Sequence, residues 1–119
     1  MLSKSNKINL RFPQTKEVFT SGLFFKTKNL QINLDFLGEL NQFSVIIPKK
    51  NIPLAVNRNK WKRFIYQLIE KDLLNFKPNN LRLIVKVNSR SKLSDEIKKK
   101  IEDEFLKIKE FVNKNAKTS

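Results

Sequence analysis

The sequence predicts an α+β fold, a two-layer sandwich in which helices pack on a mixed sheet of about four strands. Three observations carry that prediction. Residues 30–36, LQINLDF, and residues 81–87, LRLIVKV, alternate in side-chain character with the period of two that a strand requires. Ile97, Ile101, Phe105, Ile108 and Val112 recur at spacings of four and three, the stripe of a helix lying on such a sheet. After Pro53, residues 54–74 contain no glycine or proline, and they place Trp61, Phe64, Ile65 and Leu68 on one helical arc with Ile69 at its edge.

The elements follow in order. Residues 1–9 are polar and basic, an expected flexible tail. In LRFPQTKEVF, residues 10–19, Pro13 suits the first turn of a short helix that Ser21 and Gly22 end, with Val18 and Phe19 as its apolar positions. Residues 23–26 read as a short extra strand. In the strand at 30–36, Leu30, Ile32, Leu34 and Phe36 form a buried face, while Gln31, Asn33 and Asp35 are expected to be wet. Gly38 to Asn41 make a turn, and residues 43–47 are expected to return antiparallel and, being almost wholly apolar, to be central. Pro48 ends that strand, leaving Lys49 and Lys50 at its exit. The strand at 81–87 puts Leu81, Leu83, Val85 and Val87 on one face and Arg82, Ile84 and Lys86 on the other. Ser94 is placed to cap the last helix, with Asp95 and Glu96 in its first turn. The expected order is α-β-β-β-α-β-α, one domain over residues 1–119 with a second flexible tail at 113–119.

Charge says what that domain meets. The 119 residues carry 25 Lys and Arg against 11 Asp and Glu, a net charge of +14, so the expected partner is a polyanion. Cysteine and histidine are both absent. Disulfides, His- or Cys-based nucleophiles and the usual zinc ligands are therefore ruled out. Two glycines, Gly22 and Gly38, do not make a phosphate loop. The carboxylates Asp95 and Glu96, and Glu102 to Glu104, read as caps and charge pairs, so neither a catalytic nor a metal site is expected on the polypeptide. No apolar run reaches the length of a membrane span, and residues 1–9 lack the apolar stretch of a signal peptide, so a soluble cytoplasmic protein is expected, with no small-molecule substrate.

The helix at 54–74 concentrates the cations. Opposite its apolar arc stand Asn59, Lys60, Lys62, Arg63 and Tyr66, with Arg58 at the boundary. An isolated cationic face is ordinarily a solvated one. Here, however, four cations crowd the first half of the helix, where the macrodipole is positive, while Glu70 and Asp72 lie at the far end. Each misplaced charge costs about 0.3–1 kcal/mol, which a bound phosphate backbone would offset.

The run Ala55-Val56-x-Arg58-Asn59-x-x-Lys62-Arg63, preceded by Lys49-Lys50 after an apolar strand, resembles the basic signature helix of the bacterial ribonuclease P protein subunit. The family's further Arg is replaced by Tyr66, and the resemblance covers about residues 8–112. It implies a left-handed β-α-β crossover and a protein without its own active site. The catalytic RNA subunit of that enzyme removes the 5′ leader of precursor tRNA with Mg²⁺. Carried over as RNA contacts are Lys49, Lys50, Arg58, Asn59, Lys60, Lys62, Arg63 and Tyr66. The resemblance also implies a leader cleft walled by Phe19, to which Phe12, Arg82 and Lys86 are candidate additions. Thr15 stands where the family has a second Phe, and Phe12 is the candidate substitute. The competing expectation is a structural or ribosome-associated RNA-binding protein that uses the same basic face.

Overall fold

A computed structural model describes Val18, residues 22–77 and residues 79–116. Its elements are strands β1 (Leu23–Lys26), β2 (Leu30–Asp35), β3 (Gln42–Ile46) and β4 (Arg82–Val87), and helices α1 (Ala55–Asp72) and α2 (Asp95–Ala116). The short helix expected before Ser21 lies outside the described residues apart from Val18, which is buried. Gly22 has a packing reason: a Cβ there would collide with the carbonyl oxygens of Val18 and Leu34.

The strands form one mixed sheet in the order β1-β2-β4-β3. β1 and β2 pair antiparallel through a tight turn in which Thr27 and Leu30 exchange hydrogen bonds. β2 pairs antiparallel with β4, Leu30 facing Val87 and Asp35 facing Arg82. β3 runs parallel to β4, so the chain leaves β3, crosses through α1 and returns as β4. This corrects the expected pairing of residues 43–47. Their apolar character reflects cover rather than a central place: β3 is an edge strand with α1 packed along it, and β4 is inserted between it and β2.

Alternation fixes which residues reach the core. Leu30, Ile32 and Leu34 of β2, Phe43 and Val45 of β3, and Leu83, Val85 and Val87 of β4 form one sheet face. On it lie Trp61, Ile65 and Ile69 of α1 and Ile101, Phe105, Ile108 and Val112 of α2. Ile69, expected at the edge of the arc, is fully buried, whereas Phe64 and Leu68 are only partly so.

The second face departs from the expected wet surface. Asn33 and Asp35 are 8% and 7% exposed, beside Ile84, Ser44 and Arg82 in the same rows. α2 also continues to Ala116, past the expected start of a tail at 113; Val112 is still anchored in the core, and the helix simply runs on one more turn.

Loops are tied down by polar groups. Asn41, fully buried, donates to the carbonyls of Leu74 and Phe76 at 3.1 and 2.8 Å and accepts from the amide of Leu81 at 3.0 Å. Its own amide donates to Asn79, which adopts the left-handed conformation (φ 63°) that asparagine tolerates. The link between α1 and β4 is thereby fixed at both ends.

Candidate nucleic-acid interface

The basic surface starts one turn before α1. The carbonyl of Pro48 accepts the amides of Asn51 and Ile52 at 3.0 and 3.1 Å. Asn51 in turn donates its side-chain amide to Val87 at 3.2 Å, and Ile52 enters the core. The turn is held from below, and Lys49 and Lys50 are exposed on its crest.

α1 then begins without the usual stabilising devices. Its N-cap is Leu54, which makes no side-chain capping bond, and its first turn contains no acid. Asn59, Lys60, Lys62 and Arg63 are exposed, and none of these cations pairs with a described carboxylate. On the reverse side Trp61 is fully buried and donates its indole N–H to Ser91 at 3.1 Å, which locks the helix's rotation about its axis. The orientation of the cations is thus fixed by packing, independently of any ligand.

Two members of the expected set are engaged within the chain. Arg58 donates Nη1 to the carbonyls of Ile52 and Pro53 at 3.0 and 2.7 Å, clamping the lysine-bearing turn to the helix. Tyr66 is half-buried against the core, with a hydrogen bond to the Val45 backbone on the edge strand. Burial pushes its phenol above the ordinary value of 10.0, an effect that bond partly opposes.

The expected leader cleft is also altered. Arg82, a candidate wall residue, is 4% exposed and forms a two-pronged ion pair with Asp35, Nε to Oδ1 at 2.7 Å and Nη2 to Oδ2 at 2.6 Å. Taking either charge out of water alone would be costly, so each needs the other, and Arg82 is not offered to a ligand. Lys86 remains partly exposed at the other end of the same face, in a row with Lys26, Gln31 and Ile46. Phe12 and Phe19 lie outside the described residues. Strand register adds two residues that the sequence reading had not placed there, Lys26 and Phe24, the latter 54% exposed beside Asn33. The alternation of LFFK carried that information, but only once the strand's partner was known.

Among the described residues no group of three or more Asp and Glu is placed to hold a metal ion, and no helix is long and apolar enough to cross a membrane.

Comparison with known proteins gives a consistent set. The family model Ribonuclease P matches residues 5–109. A Staphylococcus aureus RNase P protein mutant superposes with a TM-score of 0.72 at 18% identity, covering 88% of each chain. An RNase P protein from Thermotoga maritima superposes at 0.59 with 16% identity, covering 90% of this chain and 92% of its own. No curated protein matches the sequence.

Proposed function

The chain belongs to the ribonuclease P protein family, whose model spans most of its length, and on that premise we propose that it serves the ribonucleoprotein by binding RNA rather than by doing chemistry. That membership favours the ribonuclease P reading over a ribosome-associated one. In the proposal α1 and the turn before it neutralise phosphates of the catalytic RNA subunit. The second sheet face, with Lys86, receives the 5′ leader of precursor tRNA, and Mg²⁺ acts on the RNA.

One observation carries the proposal: α1 is anchored through Trp61, Ile65 and Ile69 while Asn59, Lys60, Lys62 and Arg63 stand exposed, and no carboxylate among the described residues pairs with the three cations. Contacts of this kind position a backbone without reading its sequence. Arg58 acts in it chiefly by holding Lys49 and Lys50 in place.

Salt dependence provides the measurement. If Lys49, Lys50, Lys60, Lys62 and Arg63 each meet a phosphate, log affinity for the RNA subunit falls with log salt at a slope of about −3.5 to −4.5. The double substitution Lys62→Ala, Arg63→Ala should make that slope shallower by about 1.4–1.8 and weaken binding about 10- to 30-fold near 0.15 M salt. Unchanged affinity in a folded double variant would overturn the assignment.

A further inference from the structure

Beside the exposed face of α1 lies a groove of about 370 Å³, closed on its far side by the start of α2. Lys60, Arg63, Phe64 and Gln67 line it from α1, and Leu93 and Lys98 from the other wall. Three cations enter it, and no carboxylate is among its lining residues. Its volume is at the lower end of what small-ligand sites occupy, roughly 300–1,000 Å³.

The placement of Lys98 is informative. Two carboxylates are within helical reach of it, Asp95 three residues before and Glu102 four residues after, and it pairs with neither. Lys100 on the same helix does find Glu96, at 3.8 Å. Lys98 instead lies over the ring of Phe64 on α1, with Nζ 5.7 Å from the centroid. A cation held over an aromatic face keeps its charge and all three N–H donors, so the contact aims the ammonium without satisfying it. Gln67 adds an amide with a donor and an acceptor, groups that suit a ribose hydroxyl.

We propose that this groove is a subsite for one nucleotide of the RNA held by α1, with Lys98 as a phosphate contact contributed by the second helix and Phe64 as the residue that positions it. The inference rests on the RNA-binding reading of α1. It extends the interface across the gap between the two helices.

The test measures binding of the full chain to its ribonuclease P RNA subunit across a salt series. Lys98→Gln keeps the aliphatic stem and removes the charge. It should weaken binding about fourfold near 0.15 M salt and make the slope shallower by about 0.7–0.9. Phe64→Leu keeps the apolar packing and removes the ring, and should give a smaller loss in the same direction. Lys99→Gln, exposed and outside the groove, serves as the control and should change neither affinity nor slope. If Lys98→Gln matches that control while Arg63→Ala weakens binding, the groove is overturned and the α1 interface stands. If Arg63→Ala is also without effect, both fall.

Discussion

The two helices rest on the same sheet face and solve the same packing problem, yet their N-terminal halves are charged in opposite ways. α2 starts at Ser94, whose hydroxyl accepts the amide of Ile97 at 3.3 Å, places Asp95 and Glu96 in its first turn and has Lys114 in its last. Every one of those choices lowers the helix's own free energy. α1 has no side-chain cap, no acid in its first turn, and cations at 58, 60, 62 and 63. Burial against the sheet is common to both and therefore says little about function. The part of α1 that stability does not explain is the part that faces outward, at positions 60, 62 and 63, and in the proposed function a polyanion satisfies the charges there.

The largest effect should come from the shared, inward side. Trp61 is fully buried and hydrogen-bonded to Ser91, so Trp61→Ala should cost about 3–5 kcal/mol in chemical denaturation. Phe105→Ala in α2 should cost a similar amount. Near-equal losses would support packing as the property the helices share. A Trp61→Ala protein of wild-type stability would mean that α1 is not anchored as described.

Arg58 sits between the two sides, and its substitution separates them. Losing two charge-assisted hydrogen bonds to Ile52 and Pro53 should reduce stability by about 1–2 kcal/mol. Arg58→Lys should keep the salt slope of RNA binding while recovering only part of that stability, because an ammonium is more strongly hydrated than a guanidinium and loses more water in docking against the two carbonyls. Arg63→Ala, at an exposed position, should show the reverse pattern, with wild-type melting and weaker RNA binding. If Arg58→Ala melts like the wild type, the clamp contributes nothing measurable.

What the sequence made legible follows from what periodicity reports. A period of two or 3.6 identifies the buried face of an element, and so Leu30, Ile32 and Leu34, the stripe from Ile97 to Val112 and the inward set around Trp61 were all readable. The Ser94 cap is local chemistry and was readable too. Periodicity does not say which neighbour does the burying. Periodicity alone therefore pairs β3 with β2 instead of β4, and it leaves Arg82 reading as a cleft residue although Asp35, 47 positions away, holds it. The same limit hid the Arg58 clamp and the Lys98–Phe64 contact, both of which depend on how a helix meets a turn or another helix. The candidate interface was thus legible where it is a property of one helix, and illegible where it is made by two segments.

The smallest effect, from exchanging the ends of the helices, bears most directly on their difference. Ser94→Ala should destabilise the protein by about 0.5–1 kcal/mol, since α2 relies on that cap. Leu54, by contrast, is 58% exposed and caps nothing, so Leu54→Asn should raise stability by up to about 1 kcal/mol through a new capping bond. Leu54→Asp should stabilise the free protein at least as much, because its charge also complements the dipole. In RNA binding the two substitutions should diverge: Asp adds a negative charge at the start of the cationic helix, four residues after Lys50, and should weaken affinity with a steeper penalty at low salt, while Asn should change it little. A Leu54→Asp protein that gains stability and loses RNA affinity shows that α1 forgoes local stability where a polyanion is bound. One that binds RNA as tightly as Leu54→Asn removes the N-terminal turn from the interface and leaves only the middle of the helix.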